Sequence, residues 1–148
     1  NRSLQDILRN KSNIDYISVE LKSPQAMLHM DVTDLKFENE KFDLLFCVGV
    51  MQYVDDDKKG FEEMYRVLKP NGNLIFASGV NEKSNKTVRY PERIAEHNFT
   101  TREYGWDVKD LIEEVGFQIK LFNPYKDADE VERKKFGLGE HTIFLLTK

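Results

Sequence analysis

The chain has 148 residues, and its 22 Lys and Arg residues against 26 Asp and Glu residues give a net charge of −4. This length suits one domain that buries its own core. The slight acidity and the lack of a basic block argue against nucleic acid or a membrane as the main partner. One cysteine, Cys47, excludes an internal disulfide, and three histidines without metal-ligand spacing argue against a metal site. No signal peptide or membrane-spanning apolar run is recognisable, so we expect a cytoplasmic protein.

Three apolar segments in the first third of the chain predict short strands. Residues 14–20 alternate apolar and polar side chains before a Ser-Pro turn, and residues 26–30 form a second apolar run. Residues 42–48 form a third run that is almost continuously apolar. This last pattern predicts a strand buried on both faces of a sheet.

A helix is predicted between two clear signals, an acidic start and a Pro-Asn-Gly stop at residues 70–72. Its apolar residues recur at helical spacing, namely Phe61, Met64, Tyr65 and Leu68. The aspartates at residues 55–57 supply N-caps, and capping explains them better than a metal site because consecutive carboxylates splay apart. Residues 73–78 predict a fourth strand.

The segment over residues 81–104 is polar, with few periodic apolar positions, and predicts a long loop. Loops of this length inside a compact domain commonly act as lids or partner surfaces. After it, Asp107 is the predicted cap of a helix that ends at Gly116.

The C-terminal part predicts two more strands with a helix between them. The strands cover residues 117–122 and 141–147, and the helix covers residues 127–136, acidic first and basic last, before Gly137. Strands that alternate with helices predict an α/β fold with a mostly parallel sheet. Because only a short helix separates the last two strands, an antiparallel return is favoured at least as much as a crossover.

An ordered series of motifs carries a family resemblance: DVTDLKF at 31–37, KFDLLFC at 41–47, VMQYVDD at 50–56 and EMYRVLKPNG at 63–72. Together with YISVE at 16–20, YGWD at 104–107 and EVGF at 114–117, it resembles the class I S-adenosylmethionine-dependent methyltransferases. The resemblance covers roughly residues 14–148. It implies a Rossmann-like α/β sandwich, an antiparallel C-terminal strand, S-adenosylmethionine as cofactor and methyl transfer to an unidentified small-molecule acceptor.

The same resemblance implies a first strand and a glycine-rich turn that this chain lacks. Only glycine lets the backbone approach the cofactor closely there, yet residues 1–13 contain no glycine. Residues 3–11 predict the helix that would follow such a turn. We therefore predict one methyltransferase-like domain over residues 1–148 that lacks the first strand and the glycine-rich turn at its N-terminal end. A missing central strand would invite pairing with another chain, which leaves an oligomer open.

The resemblance assigns five residues to the cofactor. Glu20 would accept hydrogen bonds from the ribose hydroxyls, and the alternative for it is a solvated acid at a strand end. Asp31 would accept from the adenine amine beside the backbone of Val32, or else cap its own turn. Gly49 would allow a close backbone approach, and Met51 would pack against the adenine or the sulfonium.

Catalytic residues are less clear from the sequence. Val48 and Gly49 stand where the resemblance implies a polar pair, so an obvious general base is missing, although positioning and desolvation can suffice for methyl transfer. The candidates lie in or beside the polar segment: His97 as a base, Arg102 as a clamp for an anionic acceptor, and Tyr104. A solvated loop with incidental charges is the alternative for all three.

Two other functions compete with the methyltransferase. A non-catalytic domain that keeps the fold and has lost the cofactor would explain the missing glycine turn. A nicotinamide-dependent oxidoreductase is a poorer match because no G-x-G-x-x-G fingerprint is present.

Overall fold

The structure is a computed structural model that describes residues 4–148. Its helices are α1 (Leu4–Arg9), α2 (Asp57–Val67), α3 (Val108–Val115), α4 (Pro124–Asp127) and α5 (Glu130–Phe136). Its strands are β1 (Val19–Glu20), β2 (Leu28–His29), β3 (Phe42–Val48), β4 (Leu68–Ala77), β5 (Val88–Arg89), β6 (Arg102–Glu103), β7 (Gln118–Phe122) and β8 (Ile143–Thr147).

The main sheet has four strands in the order β3-β4-β8-β7. β3 and β4 are parallel, whereas β8 runs antiparallel to both β4 and β7. β1 and β2 form a separate parallel pair. The predicted α/β fold, with parallel strands followed by an antiparallel C-terminal strand, is therefore confirmed. The predicted strands at 14–20 and 26–30 shorten to two residues each, because β1 and β2 pair only with each other in the described chain.

The core lies between one face of this sheet and helices α2 and α3. Phe76 on β4 is at its centre, with ring centroids 5.2 Å from Phe61, 5.5 Å from Phe144 and 6.2 Å from Tyr104. Edge and tilted contacts of this kind are the favoured aromatic geometries. Phe61, Met64 and Tyr65 of the stripe predicted for α2 pack in the core as expected, whereas Leu68 is the first residue of β4. Asp56 caps the helix by accepting from the backbone N–H of Lys59.

The opposite face of β3 is open. Leu44, Phe46 and Val48 are 45%, 41% and 59% exposed, so the prediction that this strand is buried on both faces is wrong for the described chain. In the described part of the chain, no helix covers the face that carries these three side chains; separately, β3 pairs with β4 alone and so forms an edge of the sheet. An apolar edge strand of this kind is unusual, because natural edges are commonly protected by charges, proline or bulges.

Two further local predictions need correction. Asp107 does not cap α3, because its carboxylate instead accepts from the backbone N–H and the hydroxyl of Thr87. The helix predicted over residues 127–136 is two helices, α4 and α5, because Asp129 and Glu132 form a capping box that starts a new one. Gly137, in the left-handed conformation with φ +62°, ends α5 as predicted.

The polar excursion over residues 81–104 is more ordered than the predicted loop. β5 and β6 pair as an antiparallel hairpin, with Val88 opposite Glu103 and Arg89 opposite Arg102. A 3-10 turn, Ala95–His97, lies between the two strands. We call residues 88–103 the β5–β6 hairpin.

Candidate functional site

The first turn of α2 brings the carboxyl ends of β2 and β3 together. A Cβ placed on Gly60 would lie 2.8 Å from Met51 Cε and 3.5 Å from Val32 Cγ1, so both side chains pack directly on the helix backbone. Val32 follows β2 and Met51 follows β3. Residues predicted to hold the cofactor from two separate strands thus meet beside one helix. Gly60 was not singled out from the sequence, because nothing local to it signals this close approach.

Glu20, at the end of β1, is exposed and ionised. Its Oε2 accepts from the backbone N–H groups of Lys22, at 2.9 Å, and Ser23, at 2.6 Å. These two hydrogen bonds lower the pKa of Glu20 below its usual value. Within the part of the chain that the structure describes, no donor reaches Oε1, so this oxygen can accept from a ligand hydroxyl.

Asp31 uses one oxygen in the same way. Its Oδ1 accepts from the backbone N–H of Thr33 at 2.9 Å and from the Thr33 hydroxyl at 2.8 Å. The turn-capping alternative for Asp31 is therefore present in the structure. It does not compete with a ligand role, since the described residues place no donor on Oδ2.

Gly49 and Met51 continue from the end of β3. Gly49 is left-handed, with φ +68°, a conformation that favours glycine, and its N–H donates to the carbonyl of Ala77 at 2.7 Å. Met51 is fully buried, and its thioether packs against Gly60 as described above. Its side chain therefore lies in the core, behind the backbone of the turn that follows β3, where Val50 and Gln52 are its neighbours in the chain.

The turn after β3, residues 51–55, rests on a buried ionic cluster. The guanidinium of Arg102 donates to the carbonyls of Met51, at 3.1 Å, and Asp55, at 2.8 Å, and lies 3.2 Å from the Asp57 carboxylate. The hydroxyl of Tyr104 donates to the same carboxylate at 3.1 Å. Burial, followed by the charge of Asp57, raises the pKa of Tyr104, so its hydroxyl stays protonated. We call Asp57, Arg102 and Tyr104 the Asp57 cluster.

Of the three catalytic candidates, His97 alone keeps a partly exposed side chain. Its ring stacks on Tyr90, with centroids 3.8 Å apart and planes 3° from parallel. Arg102 and Tyr104 are 2% and 1% exposed and turn inward to the Asp57 cluster. The sequence had no signal for this difference, because burial of the two residues depends on α2, far away in the chain.

The described residues offer no group of three or more His, Cys, Asp and Glu side chains that could hold a metal ion. Cys47 is buried, and burial raises the pKa of its thiol to about 12, so it is a protonated core residue at neutral pH. No helix in residues 4–148 is long and apolar enough to cross a membrane.

An open surface pocket lies away from these residues. It has a volume of about 510 Å³ and is lined by Arg9, Ile14, Tyr16, Gln25, Ala26 and Met27. These side chains precede β1 and β2, whereas Glu20 and Asp31 follow the two strands. Both carboxylate-bearing residues, Glu20 and Asp31, are exposed.

Comparisons with known proteins show which proteins the chain resembles. Residues 7–76 match the family model described as a methyltransferase domain. An uncharacterized protein of Methanocaldococcus jannaschii is 32% identical over an alignment of 115 positions that covers 72% of this chain and 55% of that protein. The chain thus spans about half the length of this curated relative.

Solved structures show the same fold. An S-adenosylmethionine-dependent methyltransferase from Mesorhizobium loti matches with a TM-score of 0.59 at 13% identity, over 89% of this chain and 79% of that one. A Haemonchus contortus phosphoethanolamine N-methyltransferase 2, solved with phosphomonomethylethanolamine and S-adenosylhomocysteine, matches with a TM-score of 0.53 at 14% identity, over 82% and 36%. The resemblance found in the sequence is confirmed: residues 7–76 match a methyltransferase family model, and the chain has the fold of the class I S-adenosylmethionine-dependent methyltransferases.

Proposed function

We propose that the protein is an S-adenosylmethionine-dependent methyltransferase that acts on a small-molecule acceptor, and that this chain supplies the adenosine half of the site. The observation that carries this proposal is the pair of carboxylates at the ends of adjacent parallel strands. In each, one oxygen is occupied by its own turn, and no donor from residues 4–148 reaches the other. Ligands commonly bind at the carboxyl ends of strands in open α/β sheets.

The residues present fit the adenosine part of this cofactor. Glu20 would accept from the ribose hydroxyls, and Asp31 would accept from the exocyclic amine of adenine. Val32 and the backbone around Gly49 would cover the ring, with Met51 packed behind them. Once bound, the cofactor supplies an electrophilic methyl group, and the work of the protein is to orient it and exclude water.

Two parts of the site remain predictions from the sequence. The methionine end of the cofactor calls for the glycine-rich turn, which the described residues do not form. We retain His97 as the candidate base that would take a proton from the methyl acceptor, since its imidazole is partly exposed on the β5–β6 hairpin. Arg102 and Tyr104 are better explained by the Asp57 cluster than by contact with an acceptor.

A non-catalytic domain of the same fold is the second candidate. It is favoured by the position of the 510 Å³ pocket, which lies at the amino ends of β1 and β2. Such a domain would bind a partner there and leave Glu20 and Asp31 as solvated acids.

The deciding experiment is a calorimetric titration of S-adenosylhomocysteine into the 148-residue chain. We expect micromolar binding that is lost in Glu20→Ala/Asp31→Ala. The matched control is Glu38→Ala/Glu62→Ala, which removes the same charge from two exposed acids outside the site. Equal binding by both double variants would contradict the assigned site, and no binding by the folded chain would favour the non-catalytic domain.

A further inference from the structure

The turn after β3 is held by its own backbone carbonyls. Four of its five carbonyl groups accept hydrogen bonds from residues 101–104, which are 47 or more positions away in sequence. Arg102 donates to those of Met51 and Asp55. The backbone N–H of Thr101 donates to Gln52 at 2.8 Å, and its hydroxyl lies 3.0 and 3.2 Å from the carbonyls of Gln52 and Val54.

The side chain of Arg102 has no surface left for a ligand. It is 1% exposed, and both terminal nitrogens donate inside the protein. Its Nε is buried and has no hydrogen-bond partner among the described residues. A buried donor without an acceptor costs free energy. The hydrogen bonds that the guanidinium donates to the turn therefore have to offset this cost.

The charge around this guanidinium is balanced locally. Asp57 faces Arg102 from the first residue of α2, and Arg89 of the neighbouring strand lies 3.3 Å from the same carboxylate. Arg93 reaches the exposed carboxylate of Asp55 at 2.7 Å. Lysine in place of Arg102 would keep the positive charge beside Asp57, but its single ammonium lacks the planar fork that reaches two carbonyls at once.

We propose that Arg102 is a positioning residue that, with Thr101, locks the β3 turn to the β5–β6 hairpin. The lock holds the backbone that follows Gly49 in one conformation and thereby sets the wall of the proposed cofactor site. This role of Arg102 depends on the proposed function only for the identity of the ligand.

The test compares Arg102→Lys with Arg93→Lys by hydrogen–deuterium exchange and by titration with S-adenosylhomocysteine. We expect amide exchange over residues 51–57 to rise about tenfold in Arg102→Lys, while peptides from β4 and β8 stay within about twofold of the wild type. At an equal folded fraction, the Kd for S-adenosylhomocysteine should rise about tenfold. Arg93→Lys, which changes an exposed arginine that reaches a side chain only, should leave both readouts unchanged.

Thr101→Val is the second variant and decides the question if Arg102→Lys does not fold. It removes the hydroxyl bonds to Gln52 and Val54 in a nearly isosteric way, and we expect a smaller, local rise in exchange of about threefold over residues 51–57. Unchanged exchange of the turn, or a rise spread evenly over the whole chain, would overturn the proposal. A local rise together with no binding by the wild type would leave the lock standing and count against the proposed function instead.

Discussion

Two arginines donate hydrogen bonds to backbone carbonyls at opposite ends of α2. Arg66, in the last turn of the helix, donates to the carbonyls of Leu35 and Phe37, both at 2.8 Å. Arg102, on β6, donates to two carbonyls beside the first turn. One arginine therefore holds the loop after β2, and the other holds the turn after β3. The two segments are the ones that carry Val32 and Met51.

The two arginine side chains differ in their burial and in how many of their donors are paired. The Arg66 side chain is 31% exposed, and it forms two bonds of 2.8 Å to Glu63 that match its planar fork. The Arg102 side chain is 1% exposed, and one of its donors finds no partner within residues 4–148. Water can replace a lost partner at the first site and cannot at the second. The same interaction should therefore cost far more to break at the amino end of α2 than at its carboxyl end.

The largest effect is expected for Arg102→Met, which removes the main buried partner of Asp57. We expect the free energy of unfolding to fall by about 3–5 kcal/mol, because one buried charge is left without its neighbour. Chemical denaturation measures this change. The double variant Arg102→Met/Asp57→Asn, which removes both charges, should recover part of the loss. A fall below about 1 kcal/mol in the single variant would show that Arg89 alone compensates Asp57.

Arg66→Met should cost less, about 1–2 kcal/mol, although it deletes more hydrogen bonds. The reason is that the freed carbonyls and the Glu63 carboxylate can reach water. Denaturation under the same conditions as for Arg102→Met gives the comparison directly. A loss as large as that of Arg102→Met would mean that hydrogen-bond number matters more here than burial.

Tyr104→Phe isolates one bond of the Asp57 cluster. The ring and its contact with Phe76 remain, and only the hydroxyl that donates to Asp57 is lost. We expect a cost of about 1 kcal/mol by denaturation. No measurable change would indicate that Arg102 satisfies Asp57 without help.

The smallest effect concerns acid stability at the exposed end. Hydrogen bonds from Arg66 hold the pKa of Glu63 below its usual value of 4.5 in the folded protein. The unfolded chain then binds the proton more readily, so this contribution to stability is present above pH 4.5 and is lost as the pH falls through the lower, folded pKa. Glu63→Gln should therefore flatten the decline of unfolding free energy below pH 4.5. An unchanged slope would contradict the assignment.

Features that the sequence alone determined are those set by near neighbours. The apolar stripe and the Asp56 cap of α2, the left-handed stop at Gly116, and the last strand all follow from residues a few positions apart. The positions of Glu20 and Asp31 at strand ends belong to this group as well, because each carboxylate is bound by its own following turn.

The tertiary structure alone decided what depends on distant pairing. The polar segment around Arg102 predicts an exposed cation. The residue is buried and hydrogen-bonded to backbone carbonyls only because β6 is brought against residues 51–57. Gly60 acquires a role only when Met51 packs on the helix, and β3 is an edge strand because its partner is β4 alone in the part of the chain that the structure describes. Periodicity and capping act over one or two helical turns, whereas burial and charge pairing depend on which segments the fold places side by side.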